Sequence, residues 1–147
     1  MKQETLHQAL AKAQSEFPSI KKTENNPYFK SKYASLSNVL EAVTSILHKN
    51  GLYFSQSPTS EGDRVGVKTR IIHADSGEML EESFVLPLAK ADPQGAGSAI
   101  TYARRYALVS MLGLNMDEDD DGNLASGKGH TTQRAKGEEL LDDSAIY

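Results

Sequence analysis

The sequence has no cysteine and no tryptophan among its 147 residues. Without cysteine the chain can form neither a disulfide framework nor a thiolate metal site, which suits a reducing compartment. Long hydrophobic runs are also missing, and the first residues, MKQETLHQ, lack the apolar core of a signal peptide. We therefore expect a cytoplasmic protein that has no membrane partner.

Arrangements typical of catalysis are equally scarce. The four histidines lack the spacing of metal ligands: they are His7, His48, His73 and His130. His73 lies at the end of a predicted strand, close to Asp75, and is expected to be a turn residue. No serine has a visible partnership with histidine and aspartate. The sequence therefore predicts a protein that is not an enzyme and needs no cofactor.

Two segments imitate ligand loops without completing them. Asp117, Asp119 and Asp121 take the first, third and fifth positions of a calcium loop, whose twelfth position, normally glutamate, is Lys128. The run GNLASGK fits the start of a nucleotide-binding loop, but Gly129 stands where serine or threonine must hold Mg²⁺. We favour a solvated acidic cap, with weak Mg²⁺ or Mn²⁺ binding as the alternative, and expect no use of ATP.

Charge is distributed unevenly along the chain, although the formal net charge is only −4. Residues 1–110 contain 13 basic and 11 acidic side chains, whereas residues 111–147 contain 3 basic and 9 acidic ones. A mildly basic folded part followed by an acidic tail is a plausible plan for an anion-binding domain, although acidic tails also act as solubilisers. We expect one folded domain over residues 1–124 and a flexible, disordered acidic tail over residues 125–147.

Hydrophobic periodicity predicts the element order α-α-β-β-β-α. Apolar residues recur at helical spacing near both ends of the folded part and alternate with polar residues in its middle. The predicted fold class is α+β, with an antiparallel three-stranded sheet packed on a long helix. The predicted boundaries are helices over residues 3–17, 36–50 and 98–112, strands over 52–56, 65–73 and 78–88, a turn over 58–62 and an aperiodic loop over 21–35. Ser35 or Asn38 can cap the start of the second helix, and Gly51 suits the position just after its end.

The third predicted helix is apolar on nearly every side but carries Arg104 and Arg105. A helix of this kind must be buried, either in a core or against another subunit. The two arginine side chains point about 100° apart, and each needs an anion in partly buried surroundings. We expect one to contact phosphate and the other to pair with a carboxylate in the core or across a subunit interface.

The glycine-rich segment that opens this helix, Gly95 to Ser98, allows two interpretations. Its backbone N–H groups can bind a phosphate at the helix N-terminus. Alternatively the glycines form a tight turn and Ser98 is an ordinary N-cap, which is the commoner outcome.

The loop between the first two helices combines basic and aromatic residues. Proteins that bind single strands pair a basic groove with aromatic platforms, because every exposed base offers a stacking face. The alternative is that the aromatic side chains anchor the loop to the core while the lysines are merely solvated. The candidates in this loop are Lys21, Lys22, Tyr28, Phe29, Lys30, Lys32 and Tyr33.

A further basic pair lies in the second predicted strand. Lys68 and Arg70 alternate with Val67, Thr69 and Ile71, so the two cations share the polar face of that strand. Alone they are ordinary sheet-surface charges. Together with the loop residues and the two arginines of the third helix, they complete the candidate DNA-binding set.

Three segments of the chain resemble the Erf family of phage single-strand annealing proteins, named for essential recombination function. They are NPYFKSKYASL from Asn26, HADSGE from His73 and, most specifically, the run from Gln94 to Asn123 with GSAITYARRYAL and the aspartate-rich block. The resemblance covers roughly residues 3–124. It implies a β-β-β-α core, homo-oligomeric rings or arcs, and ATP-independent annealing of complementary single-stranded DNA during phage recombination in a bacterial host. Annealing performs no chemistry on either strand, so the missing catalytic set is expected.

The alternative hypothesis is a protein-interaction module that recruits a host repair or single-strand-binding protein. Acidic residues from Glu138 onward lead to a terminal hydrophobic pair, Ile146 and Tyr147. This pattern resembles the partner-recruiting tip of bacterial single-strand-binding proteins. An enzyme that uses a metal at the aspartate block is the third and weakest hypothesis.

Overall fold

The structure is a computed structural model that describes residues 2–21, 24–25, 32–33 and 35–116. The helices are α1 (Leu6–Glu16), α2 (Leu36–Lys49) and α3 (Pro93–Leu112), and the strands are β1 (Glu24–Asn25), β2 (Lys32–Tyr33), β3 (Leu52–Glu61), β4 (Arg64–His73) and β5 (Met79–Pro87). No helix in these ranges is both long enough and apolar enough to cross a lipid bilayer. The α+β class and the order of the long elements, α-α-β-β-β-α, are confirmed.

The segment between α1 and α2 contains an element that the sequence did not predict. Strands β1 and β2 pair antiparallel, with Glu24 opposite Tyr33 and Asn25 opposite Lys32. The prediction of an aperiodic loop over residues 21–35 is therefore wrong at these four positions. Two-residue strands are too short for a hydrophobic alternation, so periodicity cannot detect them.

Strands β3, β4 and β5 form an antiparallel sheet in that order, with β4 in the centre. One face, here called the inner face, contains Val67, Thr69 and Ile71, which are fully buried beneath the helices. The opposite or outer face contains Lys68 and Arg70, whose side chains are 39% and 33% exposed. The alternation predicted along β4 is confirmed, and it separates an apolar face from a charged one.

Strand β3 is longer than predicted. It runs through Pro58, which lies opposite Val67, and pairs with β4 along its whole length. The predicted turn over residues 58–62 is wrong, because the chain reverses only at Gly62, whose φ is 60°. Proline is tolerated here because β3 is an edge strand of this sheet, where a missing N–H need not remove a ladder hydrogen bond.

The first two helices begin at capping residues that the sequence encodes locally. Thr5 and Gln8 form a capping box at α1, in which each side chain accepts a hydrogen bond from the backbone N–H of the other. Of the two predicted candidates, Ser35 and Asn38, it is Ser35 that caps α2, by accepting from the Asn38 N–H at 3.1 Å. Gly51 follows α2 with a φ of 73°, a conformation in which glycine has no Cβ penalty. Local chemistry thus sets these helix ends.

Helix α3 packs against the inner face through a row of small side chains. Small residues at four-residue spacing let a helix approach a sheet closely, because no long side chain holds the two apart. The row consists of Gly95, Ala99, Ala103 and Ala107, all of them buried. The three alanines form a core cluster with Val67 and Leu86, whereas Leu108 and Leu112 belong to a second cluster shared with α1 and α2.

The start of α3 differs from the prediction. Asp92 is the N-cap and accepts the Gly95 N–H at 2.7 Å, and Pro93 is the first helical residue. Gly95 and Gly97 therefore lie inside the helix, and the predicted glycine-rich turn with Ser98 as N-cap is wrong. The Asp92 carboxylate also occupies the helix N-terminus at which a phosphate could otherwise bind, and its charge disfavours a second anion there.

The turn between β4 and β5 is tied to the start of α1. His73 is the last residue of β4, where the predicted strand also ends, and it is 1% exposed. Its Nδ1 lies 2.7 Å from the Ser76 hydroxyl, which donates in turn to Glu78 Oε1 at 3.1 Å. The same carboxylate oxygen accepts the Leu6 N–H at 3.0 Å. The HADSGE segment therefore anchors the N-terminus of α1 to the sheet.

Replacing Glu78 by glutamine is expected to destabilise the fold at neutral pH and to reduce its sensitivity to acid. The Leu6 N–H, and after it the Ser76 hydroxyl, hold the pKa of Glu78 below its usual value because both donate to the carboxylate. A lowered folded-state pKa stabilises the fold above the unfolded pKa of about 4.3, and this stability is lost as pH falls through the folded-state pKa. Urea unfolding from about pH 7 to pH 3 should therefore show the parent and the Glu78→Gln variant converging.

The control for this experiment is Glu41→Gln. Glu41 is an exposed residue of α2 with no hydrogen-bond or ion-pair partner among the described residues. Its replacement should leave the pH profile of the parent unchanged. A destabilisation by Glu78→Gln that is constant across the pH range would show that the charge of Glu78 plays no part in anchoring α1.

Candidate functional site

Only part of the predicted DNA-binding set lies among the described residues. Lys21 is exposed, and its carbonyl accepts a hydrogen bond from Nδ2 of Asn38 at 3.2 Å, which places this end of the loop beside α2. Lys32 and Tyr33 belong to β2, but their side chains are not described. Outside the described residues lie Lys22, Tyr28, Phe29, Lys30, the block Asp117–Asp121, the run 122–128 and the tail over residues 125–147.

The outer face of the sheet carries a basic stripe, defined as Arg64, Lys68 and Arg70 of β4. Glu81 lies opposite Arg70 on β5, with its Oε2 at 2.6 Å from Arg70 Nε and its Oε1 at 4.0 Å from Lys68 Nζ. Glu61 lies opposite Arg64 on β3. Three cations and two carboxylates leave the stripe with a net charge of +1. Because the ion pairs are open to water, the carboxylates hold the cations only weakly.

Arg104 lies on the side of α3 that faces β3. Its Nε donates to Oε1 of Gln56 at 3.3 Å, and Gln56 Nε2 donates to the Arg104 carbonyl at 3.1 Å. The same Nε2 lies 3.0 Å from Oγ1 of Thr69, which is fully buried. Among the described residues the side-chain partner of Arg104 is thus a neutral amide and not a carboxylate. This network fixes Arg104 against the inner face of the sheet.

Arg105 has quite different surroundings, since it lies beside two tyrosines one helical turn apart. Its Cζ is 5.2 Å from the ring centre of Tyr102 and 5.6 Å from that of Tyr106. The two rings stack with centres 4.4 Å apart and planes inclined by 21°. Phe84 of β5 continues the stack, 6.3 Å from Tyr106 and inclined by 16°. We call Phe84, Tyr106 and Tyr102 the ring array.

A groove of about 260 Å³ lies between β5 and the C-terminal half of α3. Its apolar part is formed by Phe84, Ala107 and Met111, so the groove adjoins the ring array at Phe84. Its polar part is formed by Glu82, Ser83 and Ser110.

The predicted cations of β4 and those of α3 do not converge on one surface. Lys68 and Arg70 lie on the outer face of the sheet, whereas Arg104 and Arg105 lie on α3, which covers the inner face. The two arginines point in different directions, as predicted from their separation on the helix. In the described ranges no group of three or more side chains is arranged to hold a metal ion.

Several residues of these surfaces were missed by sequence reasoning. Arg64 was missed because the predicted strand began one residue too late. It lies an even number of positions from Lys68 and Arg70, and this places all three on the same strand face. The i, i+4 spacing of Tyr102 and Tyr106 was an available signal for stacked rings. Gln56 and Phe84 reach these sites from other elements, and nothing in the sequence pairs them with α3.

Comparison with known protein families gives a match over residues 6–144, to the family described as the ERF superfamily. The match extends 20 residues beyond position 124, the end of the segment that carries the sequence resemblance, and so includes most of the predicted tail. No curated protein and no solved structure matches the chain.

Proposed function

The chain belongs to the ERF superfamily, and we propose from this membership that it binds single-stranded DNA and anneals complementary strands in phage homologous recombination. The family match over nearly the whole chain is the observation that carries this proposal. Annealing requires the backbone charge of two strands to be neutralised while their bases stay readable. Neither requirement involves bond making or breaking, so the proposed activity is independent of ATP.

The chemistry of the described surfaces supports this proposal. The basic stripe offers cations that can replace the counterions of a phosphate backbone, which makes binding favourable at low salt. The ring array places aromatic side chains beside Arg105, and aromatic side chains contact single strands without regard to base sequence. Of the predicted residues, we propose that Lys68, Arg70 and Arg105 contact DNA, with the basic-aromatic loop over residues 21–33 as a further contact.

Self-assembly into a ring or arc is the second part of the proposal. Tyr53, Ile72 and Met79 lie in one row across the outer face, and Tyr53 and Met79 are 44% and 54% exposed. Exposed apolar residues in a continuous row are typical of an interaction surface. In the described part of the chain β3 and β5 each pair only with β4, so the sheet has two free edges. An oligomer would multiply weak contacts with DNA into a high overall affinity.

We also propose a division of the chain at about residue 124. Residues 1–124 would bind and anneal DNA, and the acidic residues 125–147 would compete electrostatically with DNA or recruit a host protein. The net charge beyond residue 110 supports the electrostatic role, since 9 acidic side chains there face only 3 basic ones.

The test of this function is a fluorescence anisotropy titration with a labelled oligonucleotide, single-stranded and double-stranded, over a range of salt concentrations. We expect a preference for the single strand and an affinity that falls linearly with salt on logarithmic axes. Mixing two complementary labelled strands with the protein, without ATP, should accelerate their pairing. Mass photometry of the same samples should show an oligomer. A preference for duplex, or an affinity insensitive to salt, would contradict the binding proposal.

A further inference from the structure

We propose that two copies of this chain associate through the free edge of β5, which pairs with β5 of the second copy in an antiparallel, two-fold arrangement. This inference rests on the self-assembly part of the proposed function and names the contact that joins two subunits. A ring or arc would be built from such dimers through a further contact.

The hydrogen bonds at the ends of the strands show which residues face each edge of the sheet. The His73 N–H donates to the Glu78 carbonyl just before β5, and the Ala74 N–H donates to the Gly51 carbonyl just before β3, both at 2.9 Å. Successive residues of a strand direct their N–H and C=O groups to opposite sides, and the pairing of the three strands is continuous. The odd-numbered residues of β5 and the even-numbered residues of β3 therefore face the two free edges.

The two free edges differ in their capacity to accept another strand. Pro58 is an edge-facing residue of β3, so that edge lacks an N–H donor within the strand. Proline at such a position is a common protection against strand addition. Four residues of β5 face its free edge with both an N–H and a carbonyl: Met79, Glu81, Ser83 and Val85. In the described ranges these groups have no backbone partner, so the edge of β5 is the one open to pairing.

A second copy of β5 matches this edge along its whole length. Placing Met79 opposite Pro87 of the second copy overlaps the two strands completely and brings Ser83 opposite its own equivalent. In this register edge-facing residues meet edge-facing residues, so their N–H and C=O groups pair as in an ordinary antiparallel ladder. Both copies use the same surface, which is the usual form of a two-fold dimer interface.

The charges along β5 favour this register over its neighbours. The two glutamates of β5 then lie opposite uncharged residues of the second copy, Glu81 opposite Val85 and Glu82 opposite Phe84. A register centred on Glu81 or Glu82 would instead place a carboxylate directly opposite its own equivalent, which is destabilising. The sequence of β5 is therefore complementary to itself in the register that gives the longest pairing.

The position of α3 leaves room for the second copy, because this helix packs more on β4 than on β5. In the dimer the two β4 strands, with α3 above each, would lie three strand spacings or roughly 14 Å apart, compared with about 8–10 Å for helices in direct contact. The space between the helices is bordered by Phe84 and Met111 of the groove and by Tyr106, which is 44% exposed. Pairing would cover these apolar groups, which one copy covers only in part.

Pairing would also place the basic stripes of both copies on one continuous outer face. The two-fold axis is perpendicular to the sheet, so the two stripes run in opposite directions, roughly 14 Å apart. Complementary DNA strands are antiparallel as well. A dimer that offers one stripe to each strand therefore has the symmetry that annealing requires.

Disulfide crosslinking tests the register directly, because the chain contains no cysteine. Hydrogen-bonded residues directly opposite each other have Cα atoms about 5.5 Å apart, a distance that a disulfide spans. Under mild oxidation Ser83→Cys should therefore form a covalent dimer of twice 16.0 kDa on a non-reducing gel. The matched control is Ser57→Cys. Ser57 and Ser83 are both exposed and both lie opposite Lys68, but Ser57 is on β3 and its variant should not crosslink.

Proline variants test the backbone pairing. Ser83→Pro removes an N–H that faces the free edge of β5 and leaves the ladder to β4 intact, and Ser60→Pro does the same on β3. Ser83→Pro should raise the dissociation constant for self-association roughly tenfold or more, because two symmetry-related hydrogen bonds are lost. Ser60→Pro should associate like the parent. Analytical ultracentrifugation measures association, and circular dichroism establishes that both variants fold. If Ser83→Pro does not fold, the crosslink and the charge variants described next decide.

Charge variants at Val85 test which side chains are opposed. In the dimer Val85 of each copy lies opposite Glu81 of the other, so Val85→Lys should associate at least about fivefold more tightly than Val85→Glu. Within one copy Val85 lies opposite Gly66, with Arg64 and Lys68 on either side. These cations favour the glutamate variant, so the stability of a single copy predicts the opposite order.

The outcomes separate this inference from the function on which it rests. An oligomer in which Ser83→Cys does not crosslink, or crosslinks only when mixed with Ser57→Cys, disproves the two-fold contact, as does equal association of the two Val85 variants. A parent that stays monomeric with and without oligo(dT) disproves both the contact and self-assembly, while the anisotropy titration decides single-strand binding separately. A protein that crosslinks at position 83 but does not bind oligo(dT) retains the contact and contradicts the proposed function.

Discussion

Replacing Gly95 by alanine is expected to destabilise the protein by about 3 kcal/mol, whereas the same change at Gly97 should stabilise it by about 0.5–1 kcal/mol. A Cβ at Gly95 would lie 2.1 Å from the Lys90 carbonyl oxygen and 3.2 Å from an Asp92 carboxylate oxygen. Relief of this contact requires a backbone shift and disturbs the Asp92 cap, which is itself worth about 1 kcal/mol. A Cβ at Gly97 would have no neighbouring atom within 4 Å.

The two variants form a matched pair, because both change a glycine to alanine in the first two turns of α3. The helix-propensity gain is the same at both positions, so the difference of roughly 3–4 kcal/mol isolates the close approach at Gly95. Urea unfolding followed by circular dichroism measures both free energies. Equal stabilities for the two variants would show that α3 begins after these glycines, as the sequence suggested, rather than at Pro93.

Much of the fold was predictable because local chemistry and global packing agree. The alternation along β4 gave the buried face of the sheet, since Val67, Thr69 and Ile71 are all fully buried. Ser35, one of two candidate caps, and Gly51 indicated the ends of α2, because capping depends on a few neighbouring residues. In these places the residues that specify an element are contained within it or lie directly beside it.

The errors arose where a glycine or a proline suggested the end of an element, but neighbouring residues or the position of the strand in the sheet allowed the element to continue. Gly95 and Gly97 suggested a turn, but Asp92 and Pro93 just before them form the N-cap and first-position pair of a helix. Pro58 suggested a break in β3, yet the strand lies at an edge of the sheet, which sequence alone does not reveal. Both errors placed an element boundary within the right region but several residues away.

Only those parts of the candidate site that are formed by residues close together in the sequence could be predicted. Lys68 and Arg70 were found because they share one strand face. The amide of Gln56 beside Arg104 and the ring of Phe84 beside Tyr106 come from residues 48 and 22 positions away, brought together by tertiary packing. The different directions of Arg104 and Arg105 were predicted from helix geometry, but their neighbours were not.

The double variant Lys68→Gln/Arg70→Gln is expected to weaken oligo(dT) binding about tenfold or more at low salt. Each phosphate neutralised on a single strand contributes about 0.7 to the slope of log affinity against log salt, so two lost contacts lower its magnitude by about 1.4. The ratio of the parent's affinity for oligo(dT) to that of the variant should therefore fall by about sevenfold between about 50 and 200 mM salt. Anisotropy titrations of parent and variant across this range measure both quantities.

The matched control is Lys12→Gln/Lys49→Gln, which removes two cations from α1 and α2 instead. Each of these lysines is paired with a glutamate, as Lys68 and Arg70 are with Glu81, so the change in net charge and in ion pairing is comparable. If only the total charge matters, both double variants should lose affinity equally, and the basic stripe would have no special role. If the stripe binds phosphate, the control should retain the slope of the parent. Glu81→Gln, which frees both cations of the stripe, should then raise the affinity above that of the parent.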